Sequence, residues 1–204
     1  MQHKSPFTAE NVWRGGHYEL LIEANEDSSE QVCSLLRALW SHPSLDGCFL
    51  RNDNGPSAQL RVQPCENAVA GHLYGLALLP NKRLVACGSY AMDYGGEGEF
   101  QPAHWVSFYV PLGALADAYP VGAYPFGPME GVSEWKMPMD SFFAEVAMWV
   151  YDRVPFEFGL IGFEVVSSGS LLQTIRAGRM PEERSDGILW SNGGELKWYP
   201  ATRP

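Results

Sequence analysis

Apolar residues recur along the chain at two different spacings, and the spacing separates helices from strands. In residues 32–40 they follow steps of three and four, which predicts an amphipathic helix. Ser28 and Gln31 fit a capping box at its start, and Pro43 ends it because proline disfavours helical geometry at the preceding residue. The same spacing in residues 140–153 predicts a second helix, which ends before Pro155.

Shorter apolar runs, separated by residues typical of turns, predict strands. The two strongest hairpins turn around Pro80-Asn81 and around Asn192-Gly193. One run, residues 158–166, is almost entirely apolar, which indicates a strand packed on both faces. The predicted strands are residues 18–23, 48–51, 59–63, 72–79, 83–90, 105–110, 158–166, 188–190 and 196–199.

The connections between these segments complete the predicted fold. Residues 111–118 are expected to form a short helix, whereas residues 119–128 hold three prolines and two glycines, which disfavour both a helix and a central strand. Strands arranged in hairpins with two helices among them predict an α+β fold, a mostly antiparallel sheet with two main helices packed on it. The length of 204 residues predicts a single globular domain, residues 1–204.

The charge of the chain narrows the classes of partner. With 14 Lys and Arg against 24 Asp and Glu, the formal net charge is −10. Such a field repels phosphate backbones and anionic lipid and attracts basic proteins, so we expect no nucleic-acid or membrane partner. The N-terminus has no apolar signal region and no run of 18 apolar residues occurs, which predicts a cytoplasmic protein.

The residues that bind metals or form disulfides show no recognisable spacing. Four cysteines, Cys33, Cys48, Cys65 and Cys87, contain no C-x-x-C pair and are predicted to be free thiols. The five histidines form no i, i+4 or H-x-H pair, and the loop at residues 52–56 lacks the closing glutamate of a calcium loop. We therefore predict no metal and no cofactor.

Motifs for catalysis are also lacking, and one pair of carboxylates leaves an enzymatic alternative open. The chain has neither a Gly-x-Ser-x-Gly elbow nor a phosphate-binding glycine loop. Glu97 and Glu99, in a glycine-rich loop close to aromatic residues, could serve a small hydrolase of a sugar-like or neutral substrate. Two acids in such a loop are more often a solvated turn, so this remains the alternative hypothesis.

The segment between Leu84 and Trp135 carries the strongest functional signal. It has no Lys or Arg, but it has six acids and ten aromatic rings. Tyrosine and tryptophan are enriched at binding hot spots, and carboxylates steer a basic partner, so the segment predicts a protein-binding surface. Its predicted electrostatic determinants are Asp93, Glu97, Glu99, Glu130 and Glu134, and its predicted aromatic anchors are Tyr94, Tyr124, Phe126 and Trp135.

In size, negative charge, lack of a catalytic signature and aromatic-rich segments such as 119–128 and 196–200, the chain resembles the small acidic immunity proteins that bacteria encode beside toxins. The resemblance implies a cytosolic inhibitor that covers the active site of a basic toxin, with its acids in place of an anionic substrate. A third hypothesis, an adaptor or structural subunit, uses the same surface without inhibition.

Overall fold

The computed structural model describes residues 7–24, 29–65, 71–94, 103–122, 129–165 and 169–203, with side chains for all of these except 93, 94, 103, 129–133, 169, 170 and 172. Within these ranges eight strands form one sheet: β1 (His17–Ala24), β2 (Leu45–Phe49), β3 (Leu73–Leu78), β4 (Leu84–Tyr94), β5 (Ala103–Pro111), β6 (Phe158–Phe163), β7 (Gly187–Asn192) and β8 (Glu195–Tyr199). The helices are α1 (Ser29–Trp40), α2 (Leu112–Leu115), α3 (Met129–Tyr151) and α4 (Gly169–Arg176), and Pro56–Ala58 form a single 3-10 turn.

The sheet has the strand order β2-β3-β4-β5-β1-β6-β7-β8, and every neighbouring pair is antiparallel. The α+β prediction is confirmed. β1 lies in the interior of the sheet, with Tyr18 opposite both Val110 of β5 and Phe163 of β6. Since side chains alternate along a strand, β1 sends Tyr18 to one face of the sheet and Glu19 to the other.

The two faces of the sheet are covered differently. On the first face Tyr18 and Leu20 join a large core with Leu39 of α1 and Phe143 of α3. On the second face a smaller cluster is covered by α4 through Ile175. β6 contributes to both clusters, Ile161 to the first and Leu160 to the second, which confirms that it is packed on both faces.

A buried polar contact attaches α3 to β1. The hydroxyl of Tyr18 donates a hydrogen bond to the carboxylate of Asp140, and the Lys136 ammonium lies 3.8 Å from the same carboxylate. Burial raises the pKa of Asp140, although Lys136 and the Tyr18 hydrogen bond oppose that shift. Both partners therefore favour the ionised form of Asp140 against the effect of burial.

α3 is longer than the sequence pattern predicted. It starts at Met129 rather than at residue 140 and contains Pro138. A proline inside a helix removes a hydrogen bond and costs roughly 3 kcal/mol. Trp135 and Met139, on either side of it, are fully buried, and their burial offsets that cost. α4 was not predicted at all.

The segment beyond β2 was predicted as a strand at residues 59–63 and is not one. It runs beside β2, and the Val62 amide donates to the Cys48 carbonyl at 3.0 Å. Arg61 also forms an ion pair with Asp46. β2 itself begins earlier than predicted, because Leu45 is buried together with Cys48.

The prediction of four free thiols is wrong for one pair. Cys33 of α1 and Cys65 form a disulfide, with their Cα atoms 4.9 Å apart. Cys48 and Cys87 are free and buried, as predicted. The sequence separation of 32 between Cys33 and Cys65 gave no sign of the bond, because only the fold brings the segment after β2 back to α1.

Among the described helices, none combines the length with the apolar character that crossing a bilayer requires.

Candidate functional site

The residues predicted to bind a partner are only partly within the described structure. Asp93 and Tyr94 are the last residues of β4 and pair with His104 and Ala103 of β5. Glu130 and Glu134 lie on α3, where Glu134 is exposed. The remaining predicted site residues lie outside the described ranges: Glu97, Glu99, Tyr124 and Phe126.

Trp135 does not lie at the surface. Its side chain is 1% exposed, and its ring meets the edge of Tyr18 at 5.2 Å. The prediction that it is a surface anchor is wrong, because α3 starts earlier than expected and turns this residue onto the sheet. Three further rings of the same segment, Trp105, Phe108 and Tyr109, are also buried, and they lie on the strand predicted at residues 105–110.

The described members of the predicted set do not form one patch. Asp93 and Ala24 both pair with His104, so Asp93 lies near the end of β1. Trp135 contacts Tyr18 near the start of β1. Tyr18 and Ala24 are six residues apart, which is about 20 Å along the strand. Asp93 and Trp135 therefore lie near opposite ends of β1.

A different group of side chains converges on the second face of the sheet, near the start of β1. We call it the ring cluster, and its members are Trp13, His17, His72, Tyr74, Tyr90 and Tyr109. Their ring centroids are in contact: His17 and Tyr109 at 4.9 Å, His72 and Tyr90 at 4.7 Å, and Trp13 and Tyr74 at 5.1 Å.

The ring cluster borders a cleft of about 230 Å³, which is also lined by Gly16, Asn52 and Pro111. The strand register brings these residues together, because Tyr109 of β5 lies opposite both Gly88 of β4 and Glu19 of β1. A side chain at Gly88 would collide with Tyr109, since a Cβ there would lie 2.5 Å from the phenol ring. Gly88 thus makes the room that the Tyr109 ring occupies.

Buried polar groups form the floor beneath the ring cluster. The carboxylate of Glu19 is 2% exposed and accepts a hydrogen bond from the Ser107 hydroxyl. His17 Nε2 lies 3.5 Å from the same carboxylate oxygen. Burial, together with the charge of Glu19, raises the pKa of Tyr90 to about 12, so its phenol stays protonated at neutral pH.

The two histidines of the cluster have opposite pKa shifts. Burial disfavours the charged form of His17, but the hydrogen bond and charge of Glu19 and the charge of Glu164 outweigh it and raise the pKa of His17. Partial burial and the charge of His17 lower the pKa of His72. His72 is therefore the neutral imidazole, and its Nδ1 lies 2.8 Å from the Tyr109 hydroxyl.

Glu164 holds a strained position next to Gly16 and His17, two of the residues that line the cleft. Its φ of 43° is in the left-handed region, which a residue with a side chain rarely adopts. Its amide donates to the His17 carbonyl at 3.1 Å, and its Oε1 lies 3.9 Å from His17 Nδ1. A Cβ at Gly16 would lie 2.7 Å from that oxygen, so glycine lets the carboxylate approach the cleft.

This arrangement can hold a planar cation, and the His17–Glu19 pair can accept or donate a proton. In the part of the chain that the structure describes, no three His, Cys, Asp or Glu side chains are placed to hold a metal ion. Sequence reasoning missed the site because its rings come from five separate segments. The one available signal was His17 two residues before Glu19, at the start of the strand predicted at residues 18–23, and it did not show that their side chains border a cleft.

Comparison with protein-family models, with curated proteins and with solved structures found no match, so no residue role is transferred from another protein.

Proposed function

We propose that this protein is an inhibitory binding protein of the immunity type, which covers the active site of a basic partner enzyme. The observation that carries the proposal is the surplus of carboxylates, 24 acids against 14 cations. Within the described residues, six of those cations form ion pairs: Arg14, Arg51, Arg61, Lys136, Arg176 and Arg203. The exposed acids without such a pair are the ones proposed to meet a basic surface.

The distribution of these acids supports binding rather than solubility alone. The segment between Leu84 and Trp135 contributes six acids without a compensating cation. Glu134 and Glu164 add exposed carboxylates close to opposite faces of the sheet. An excess of negative charge raises the association rate with a basic protein, and the carboxylates can take the place of an anionic substrate in its cleft.

The aromatic part of the proposal changes with the burial of Trp135. Asp93, Tyr94, Glu97, Glu99, Tyr124, Phe126, Glu130 and Glu134 remain proposed contacts. Trp135 does not, because truncating a buried tryptophan typically costs about 3–5 kcal/mol of stability and would report on folding rather than binding.

The test is inhibition of an isolated partner. The full chain is immobilised, a native lysate is passed over it at low salt, and retained proteins are identified by mass spectrometry and purified. We expect a basic enzyme whose activity falls to zero at one equivalent of this protein. A bound partner that keeps its full activity would contradict inhibition and favour an adaptor or structural subunit.

A further inference from the structure

We propose that the cleft beside the ring cluster receives an arginine side chain of the basic partner, with its guanidinium against Trp13 and Tyr74 and its hydrogen bonds accepted by Glu164. This inference rests on the proposed function, because it names the group by which the partner is anchored. The three residues assigned to hold the arginine, Trp13, Tyr74 and Glu164, lie outside the segment between Leu84 and Trp135.

The size of the cleft fits one side chain. At about 230 Å³ it is smaller than the roughly 300–1,000 Å³ of pockets that enclose small-molecule ligands. It is open on one side and lies at the start of β1, where a protruding residue of another protein can enter. Anchor residues of this kind are typical of protein interfaces, and arginine is enriched among them.

The walls of the cleft are aromatic surfaces that are already held in place. The Trp13 indole nitrogen donates to the Phe7 carbonyl at 3.0 Å, so its N–H is already engaged within the chain. Trp13 meets Tyr74 edge to face with an interplanar angle of 78°, and Tyr74 lies nearly parallel to His72 at 14°. A guanidinium is planar and weakly hydrated, so it stacks on such rings better than an ammonium does.

The charges around the cleft favour a cation. Glu164 is about half exposed, and Glu19 lies directly behind His17. The two arginines next in sequence to cleft residues are already engaged, Arg14 with Glu10 at 3.2 Å and Arg51 with Asp53 at 2.8 Å. A carboxylate at the edge of the cleft also provides the two acceptor oxygens that match the fork of a guanidinium.

The strain at Glu164 supports a binding role. A glycine would adopt its φ of 43° without the steric cost that a Cβ brings. Strained backbone conformations of this kind are concentrated at functional sites. The carboxylate accounts for a glutamate at this position, since a glycine would be more stable there.

The site predicts a dependence on pH through His17. The groups that face His17 are Glu19, Glu164, His72, Tyr90 and Tyr109, and the two carboxylates raise its pKa. A proton on His17 competes with the guanidinium, so arginine binds more tightly as the pH rises through the pKa of His17. By linkage, bound arginine lowers the pKa of His17.

The test uses a pair of matched probes. The full chain is titrated with Nα-acetyl-arginine methylamide and with the citrulline analogue, which has the same shape and no charge. We expect the arginine probe to shift the NMR signals of the Trp13 indole and the His17 imidazole in a saturable way, at least tenfold more tightly than the citrulline probe. Equal binding of the two probes, or no shift at either residue, would overturn the proposal.

Two substitutions separate the site from the overall charge. Glu164→Gln keeps the size of the side chain, and we expect it to weaken the arginine probe at least fivefold. Glu195→Gln removes one exposed carboxylate from β8, three strands away from β1, and should leave the probe affinity unchanged. Equal effects of both substitutions would mean that the probe senses net charge alone, which contradicts a site.

Tyr74→Leu tests the aromatic wall, because it removes a ring and no charge. It should also weaken binding of the arginine probe, and an unchanged affinity would oppose the proposal.

The same variants distinguish failure of the site from failure of the proposed function. If Glu164→Gln and Tyr74→Leu inhibit the partner with unchanged dissociation rates, the inhibition stands and the arginine anchor is wrong. If no partner is inhibited but the arginine probe binds with the expected pH dependence, the cleft stands as an arginine site and the inhibitory function is wrong.

Discussion

Glu164 is the residue at which stability and the proposed binding oppose each other. Its left-handed backbone costs about 1–2 kcal/mol, part of which a glycine recovers. Both Glu164→Gly and Glu164→Gln remove the charge, but only Glu164→Gln keeps the strained backbone. We therefore expect the melting temperature of Glu164→Gly to be roughly 1–4 °C higher than that of Glu164→Gln. Differential scanning calorimetry measures this difference. Equal melting temperatures would show that the residue is not strained.

His17 is the residue whose protonation is coupled to folding. Its folded-state pKa is raised above the ordinary value of 6.5, so it binds a proton more tightly in the folded chain. That contribution is fully present below about pH 6.5 and is lost as the pH rises through the raised folded pKa. His17→Gln should lower the free energy of unfolding more at about pH 5.5 than at about pH 8.5. Urea denaturation at both pH values measures it, and an equal loss would show that Glu19 and Glu164 do not stabilise the imidazolium.

At the scale of elements, the contact between α3 and β1 depends on one buried carboxylate. Asp140→Ala leaves the Tyr18 hydroxyl without its acceptor and Lys136 without its nearby carboxylate. An unsatisfied buried group costs about 1–3 kcal/mol, so we expect a loss of roughly 2–3 kcal/mol. Tyr18→Phe removes only the donor and should cost less. Urea denaturation compares the two, and a smaller loss for Asp140→Ala would contradict this account of the contact.

The disulfide is the second element-scale contact, because it holds the segment beside β2 against α1. Closing a loop across 32 positions contributes about 3–4 kcal/mol by the chain-entropy relation. Replacing Cys33 and Cys65 with serine should therefore lower the free energy of unfolding by that amount and speed amide exchange at Val62. A reductant should have the same effect on the wild type and none on the variant. Identical stability of the two proteins would contradict the bond.

The disulfide also bears on the predicted cytoplasmic location. Disulfides persist mainly in oxidising compartments and are rare in a reducing cytosol. Because Cys48 and Cys87 are buried, thiol labelling of the denatured protein, taken from cells without reductant and compared before and after reduction, would test that location. Two labelled cysteines before reduction and four after it would agree with an oxidising compartment, whereas four at both stages would agree with the cytosol.

Local patterns predicted the elements that have strong periodicity and clear turns. β1, α1, the β3–β4 hairpin and the β7–β8 hairpin lie close to their predicted positions. The elements that were missed depend on tertiary contacts. The first half of α3 was not predicted because Pro138 disfavours a helix, and its burial against the sheet cannot be read from the local sequence. α4 was not predicted because it is short, and it is held by Arg176, which forms ion pairs with Glu23 and Glu157. The cleft could not be predicted, because its rings meet only through the register of β1, β4 and β5.

At the scale of the whole molecule, two features are independent. The net charge of −10 and the cation-free segment were evident in the sequence, and under the proposed function they would determine the class of partner. The ring cluster emerged only from the fold, and it would determine which group of the partner is bound. Because charge acts at long range and the cleft at contact, we expect the acids to control association and the cleft to control dissociation.

If the acids control association, salt and charge reversal should change the association rate more than the dissociation rate. Raising the ionic strength from about 50 to 500 mM shortens the Debye length to a few ångströms and should slow association with the partner severalfold. Replacing Glu97 and Glu99 with lysine should slow association at low salt and flatten the salt dependence, with little effect on dissociation. Surface plasmon resonance measures both rates, with Glu195→Lys as the control for charge outside the acidic segment.

The most direct measurement of the central claim is a titration of the partner enzyme's activity with this protein at low and at high salt. We predict a linear fall to zero activity at one equivalent, reached more slowly at high salt. An enzyme that stays active in the saturated complex, or an association rate that does not change with salt, would contradict it.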